Sequence, residues 1–174
     1  HLNLGIRYGY IEQLDDELLR ISKESFDALS FNCYALSPDH EKMNHALEIS
    51  GLPMIIGEYH FGTVDRGLAQ SLWQVNSQKE RGDAFRYYTE NAFAHRGLIG
   101  TGWFRWIDQN INGRTDGENY NCGFIDVTDR PYPYMVDAAI ETAKSLYEIH
   151  SGTKTPFHQA PNAVGHSPIP DLWE

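Results

Sequence analysis

Several protein classes are excluded by what this sequence has little of. Positive charge is scarce. Fourteen Lys and Arg stand against 24 Asp and Glu, a formal net charge of -10, which argues against nucleic acid or an anionic membrane surface as a partner. Cysteine is scarce too: Cys33 and Cys122 are the only two. Two cysteines make neither a disulfide framework nor a zinc pattern, and they can form one bond or stay free. No apolar run reaches the roughly 18 residues of a membrane-crossing helix. There is no glycine-rich phosphate loop, no serine on a nucleophile elbow and no low-complexity tract, so no cofactor is expected. No signal peptide is visible, and the chain opens on His1 rather than Met, so its start reads as cut or processed.

What is plentiful is aromatic. Phe, Trp and Tyr make up 13% of 174 residues, with ten Tyr and four Trp. Flat rings suit a core, and they also suit sugars, whose faces stack on them. The length is enough for one domain with a real core.

Short apolar runs alternate with helical periodicity. Residues 2–8, 26–34, 53–59 and 97–106 read as strands. Residues 12–24 read as a helix with Ile11, Leu14, Leu18 and Ile21 on one face, and 39–50 as another with Met43, Ala46 and Leu47. Ser77 and Glu80 match a capping box that opens a helix to about residue 95, with Phe85, Tyr88 and Ala92 inward. A loop rich in Gly, Asn and Asp covers 107–123. The final helix, 132–149, carries Tyr132, Met135, Val136, Ala139, Ile140, Ala143, Leu146 and Tyr147 at helical spacing. Strand-helix units in series predict an α/β fold of parallel strands joined by crossovers. Residues 1–150 read as this unit. Residues 151–174 read as a Pro-rich tail, with Trp173 as an anchor.

In parallel α/β folds ligands bind at the carboxyl ends of the strands. Here each strand begins apolar and ends polar or aromatic: Arg7 on the first, Asn32 and Tyr34 on the second, Glu58 and His60 on the third, Trp103, Trp106, Asp108 and Gln109 on the fourth. The loop beyond adds Glu118 and Asn119. Glu58 stands out, because a carboxylate directly after Met54-Ile55-Ile56-Gly57 is costly unless hydrogen-bonded or used. Alternation puts Ile56, Glu58 and His60 on one face. A strand-end Glu paired to a neighbouring Arg or helix terminus is the structural alternative. A metal needs a third ligand that the spacing does not provide. Tyr34 can donate to Glu58, or simply sit in the core.

"SFNCY", "PMIIGEYHFG", "GTGWFRWIDQ" and "DGENYNCGFIDVTDRPYPYMVDAAIE" together resemble the last strands of a clan A glycoside hydrolase barrel, of the agarase and β-galactosidase-like group. "HLNLGIRYG" resembles the fifth strand of such a barrel. The resemblance implies the C-terminal half, strands 5–8, of a TIM-type (β/α)8 barrel that cleaves glycosidic bonds of an oligo- or polysaccharide with retention. It makes Glu58 the nucleophile, Tyr34 its hydrogen-bond partner and Trp103 a sugar platform. Arg7, Asn32, His60, Trp106, Asp108, Gln109, Glu118 and Asn119 become candidates for substrate binding. The acid/base Glu of the clan belongs at the end of a fourth strand, which would precede His1. The expected partner is therefore a missing N-terminal half-barrel or a second copy of the chain. The alternative is a non-catalytic carbohydrate-binding or structural half-barrel.

Overall fold

The computed structural model describes residues 1–165; residues 166–174, and with them the expected Trp173 anchor, lie outside the described residues. Four parallel strands form one sheet in the order β1 (Arg7–Tyr8), β2 (Leu29–Asn32), β3 (Met54–Tyr59) and β5 (Leu98–Trp103). Helices α1 (Asp16–Ser25), α2 (His40–Ser50) and α3 (Gln78–Phe93) connect them, and α4 (Pro133–His150) follows β5. This is the α/β architecture of part of a TIM-type barrel, as the strand-helix alternation predicts. Among the described residues, no helix is long and apolar enough to cross a membrane.

The core lies between the sheet and the helices. Phe31, Met54, Ile56, Tyr59, Tyr88 and Leu98 are fully buried in it. Each helix start has a local cause. Asp15 accepts the Leu18 amide, Asp39 those of Glu41 and Lys42, and Ser77 that of Glu80, satisfying donors that a first turn leaves open. The reciprocal half of the Ser77 box falls one residue early: the Glu80 carboxylate takes the Asn76 amide at 2.9 Å.

Four expectations need correction. The first strand shrinks to Arg7–Tyr8, because Gly5 turns the chain at φ 71° and the Asn3 backbone bonds to Asp27 instead. The stripe of α1 moves from Leu18 and Ile21 to Leu19 and Ser22. Residues 11–13 form a separate 3-10 turn, and the helix restarts in a new phase behind Asp15. On α4 the buried face is Met135, Ala138, Thr142, Ser145 and Ile149, while Ile140 and Tyr147 are exposed. The small side faces α3, where a methyl group on Gly82 would come within 2.5 Å of the Tyr134 carbonyl oxygen. At this point of closest approach only a small residue fits between the helices. Lastly, the loop after β3 contains β4 (Trp73–Gln74). It pairs antiparallel with β6 (Val164–Gly165), so the segment after α4 returns across the outside of α3.

Candidate active site

The carboxyl ends of β1, β2 and β3 bring one cluster together. Glu58 Oε1 lies 2.7 Å from Arg7 Nη1. Its Oε2 accepts from Tyr34 Oη at 2.8 Å and from Asn32 Nδ2 at 3.2 Å. The Glu58 side chain is 18% exposed, so it is reachable from solvent yet gripped from three sides. Both the Arg partner and the Tyr donor considered from the sequence are present. Burial and the adjacent Glu58 charge push the Tyr34 phenol far above its ordinary range, so it remains an O–H donor to the carboxylate.

A bulge aims that carboxylate. Phe31 pairs with Ile56, but Asn32 pairs with Glu58, so β3 carries one residue more than β2 at Gly57. Against β5 the same surplus falls between Ile56 and Tyr59. Strict alternation would put Glu58 beside Ile56. Instead Ile56 and Tyr59 both point into the core, 0% and 1% exposed, while Glu58 turns to the face of Arg7 and Asn32. Re-aiming one side chain is what a bulge does. A Cβ at Gly57 would meet the Arg7 side chain at 2.5 Å, so glycine leaves Arg7 its present path to Glu58.

His60 is corrected along with the alternation. It is 2% exposed, and both ring nitrogens are engaged: Nε2 accepts the Leu72 amide at 3.1 Å, and Nδ1 bonds the Phe104 carbonyl at 3.0 Å. Burial drives its pKa down to about 3, so the ring is neutral and Nδ1 carries the proton. It buttresses Tyr34, whose ring meets it edge-on at 5.0 Å, and has no nitrogen open to a substrate.

The β5 end divides into interior and surface residues. Trp103 packs edge-on against Tyr59 and Phe85, and its Nε1 donates to the Cys122 carbonyl at 2.7 Å, which draws it toward the core. Trp106 is 69% exposed, with its ring stacked on Phe124. Asp108 and Gln109 are buried. Asp108 accepts from Asn121 Nδ2, the Gly123 amide and Tyr132 Oη, and Gln109 bridges the Tyr120 amide and the Glu118 carboxylate. Their polar atoms are occupied within the protein, because the 107–123 loop needs them to fold over itself. Glu118 is 23% exposed and pairs with Arg114 at 3.3 Å; its charge also reaches Tyr34. Asn119 holds the Ala69 amide and the Ile111 carbonyl.

Sequence reasoning gave no role to Phe104, which lies within "GTGWFRWIDQ" and packs tilted against His60 at 5.9 Å, and missed the buried Arg81, which sits in no motif. Cys33 and Cys122 are free and buried. Among the described residues, no group of three or more His, Cys, Asp or Glu could hold a metal ion.

Parallel strands whose carboxyl ends converge on one braced carboxylate define the class: part of a (β/α) barrel, a fold whose sites lie at the strand ends. No family model matches the chain. It is 36% identical over 154 residues to β-agarase A of Vibrio sp. (strain JT0107), an alignment that takes in 84% of this chain and 15% of that protein. The solved structure of PfGH50B superposes with a TM-score of 0.81 at 38% identity, covering 86% of this chain and 22% of its own. That of an agarase, AgWH50C, gives 0.80 at 37%, covering 86% and 21%. The chain is thus related to the β-agarases, as its motifs implied, and spans about a sixth of the length of the curated relatives it matches.

Proposed function

We propose that this chain carries the nucleophile side of a retaining β-glycosidase site of the agarase type, acting on a galactose-containing poly- or oligosaccharide. The observation that carries the reading is the Glu58 cluster: a strand-end carboxylate, partly open, with Arg7, Asn32 and Tyr34 fixing both oxygens. Such a carboxylate attacks the anomeric carbon. A C–O bond forms to Glu58 as the glycosidic C–O bond breaks, and the departing oxygen takes a proton from a second carboxylic acid about 5–5.5 Å away. Water then hydrolyses the glycosyl-enzyme, with that second group acting as base. In this reading the second group stands on a segment that completes the barrel beside β1 and β5.

Tyr34 and Asn32 orient the nucleophile. Trp106 offers the flat exposed face that a sugar ring stacks on, and Glu118 accepts from sugar hydroxyls. Trp103, His60, Asp108 and Gln109 act from behind as supports.

The test uses the complete barrel enzyme containing this sequence. A 2-deoxy-2-fluoro galactoside with a good leaving group should add one sugar to Glu58, read by peptide mass mapping. Glu58→Gln should lose turnover by about 10⁴-fold or more while keeping its fold. Labelling of another residue, or retained activity in the variant, would sink the assignment. Sugar binding without turnover by the wild-type enzyme would favour the non-catalytic alternative.

A further inference from the structure

We infer that Arg81 is a positioning residue, whose buried guanidinium fixes the 107–123 loop and thereby the place of Glu118 at the substrate site; this deepens the glycosidase reading and rests on it. Arg81 is completely buried. Desolvation pushes its pKa downward, opposed by the charge of Asp108. A buried cation is costly unless well bonded, so its partners show what it is for. Nη1 donates to the Asn121 carbonyl at 2.9 Å and Nη2 to the Gly123 carbonyl at 2.6 Å. The guanidinium also lies 4.4 Å from the centre of the Tyr132 ring.

Asn121, Gly123 and the Cys122 between them are held from other groups as well. Asp108 takes the Gly123 amide at 2.7 Å and the Asn121 side chain at 2.9 Å. Gln78 Nε2 donates to Asn121 Oδ1 at 2.7 Å. The Cys122 carbonyl between the two Arg81 contacts binds the Trp103 indole. Every carbonyl of Asn121-Cys122-Gly123 is therefore fixed, two of the three by one side chain. Immediately before this segment, the Tyr120 amide anchors Gln109, and Gln109 anchors Glu118. The chain of contacts runs from Arg81 through Tyr120 and Gln109 to Glu118, and the Tyr120 ring meets His60 edge-on at 5.8 Å, the same His60 that backs Tyr34 at 5.0 Å.

Two carbonyls two residues apart need a two-pronged donor. A guanidinium supplies it in a rigid plane, and a lysine ammonium is a single point. If Arg81 only filled space, a Met of similar length would replace it without effect on the loop.

Arg81→Lys and Arg81→Met test this by amide hydrogen exchange. In both variants the amides of Arg105, Tyr120 and Gly123 should exchange at least about tenfold faster, with those of residues 54–58 within about twofold of wild type. Wild-type protection of the loop in Arg81→Met overturns the inference. So does loss of protection spread equally over the sheet, which marks general destabilisation. In the complete enzyme, Arg81→Lys should raise KM for a galactan oligosaccharide about tenfold with kcat changed less than about twofold. An unchanged KM with a loosened loop breaks the link to Glu118. Should the wild-type enzyme show no turnover at all, the glycosidase reading fails, while the exchange measurements still decide whether Arg81 holds the loop.

Discussion

At the scale of single residues, His60, Asp108 and Gln109 lie buried with their polar atoms engaged inside the protein. His60 is the clearest case, because its protonation is tied to folding. Its folded pKa is about 3 against an unfolded value near 6.5. Between these values the unfolded chain binds a proton that the native chain refuses. His60 therefore removes stability as pH falls from about 6.5 toward 3, by at most about 1.4 kcal/mol per pH unit, and has no such effect above that window. His60→Gln should flatten the dependence of urea-unfolding stability on pH between 6 and 4. Equal slopes in the two proteins would contradict the assignment. The cysteines give a second reading of burial. Desolvation raises Cys33 to about 11 and Cys122 to about 12, so little thiolate forms at neutral pH. Neither should react with a disulfide reagent in the native protein, and both should react in denaturant. Fast labelling before unfolding would show that one of them is open. Glu58, the residue most legible in the sequence, was so because a charge directly after an apolar run demands an explanation. Arg81 was illegible because a helical Arg looks solvated until the chain it holds, 40 and 42 residues onward, is placed beside it.

At the scale of elements, the main strands and helices were legible, and so was the buried face of α3 with Phe85, Tyr88 and Ala92; the facing of α1, α4 and the end of β3 was not. β3, α2 and α3 fall close to their expected bounds, since each has a clear apolar pattern between a cap and a glycine or loop. The facing of α1 and α4 was lost for different reasons. A 3-10 turn reset α1, and on α4 the close seat on α3 outweighed hydrophobicity, leaving Ile140 48% and Tyr147 89% exposed. In β3 the surplus residue at Gly57 hid the true facing of Glu58 and Tyr59, because period-two reading allows no surplus. The α3–α4 seat makes a direct prediction. Gly82→Ala would set a methyl group 2.5 Å from the Tyr134 carbonyl oxygen, so the helices must part, at a cost of about 1–3 kcal/mol. Thermal unfolding should show the loss; an unchanged Tm would mean that the two helices separate freely.

At the scale of the molecule, β1 and β5 end the sheet, each with one strand partner among the described residues, and Ile99 on β5 is 56% exposed. Unpaired edges and exposed apolar groups invite association. On the barrel reading they receive the strands that close it, or a second copy when the chain is alone. The isolated chain should therefore sediment with a mass that rises with concentration. Ile99→Lys should weaken that association by about tenfold; a monomer throughout the micromolar range would count against it. The segment that returns across α3 bears on a different matter, the timing of folding. Glu90 is 1% exposed. Its Oε1 meets Arg86 and Thr142, and its Oε2 accepts the Phe157 amide at 2.8 Å, from 67 residues downstream. During synthesis, α3 exists long before Phe157 does. Until that residue leaves the ribosome, the carboxylate must stay wet or leave Oε2 without this bond. The α3–α4 layer can thus close fully only after translation has passed residue 157, and a nascent chain stalled earlier would keep that face open to water and to chaperones.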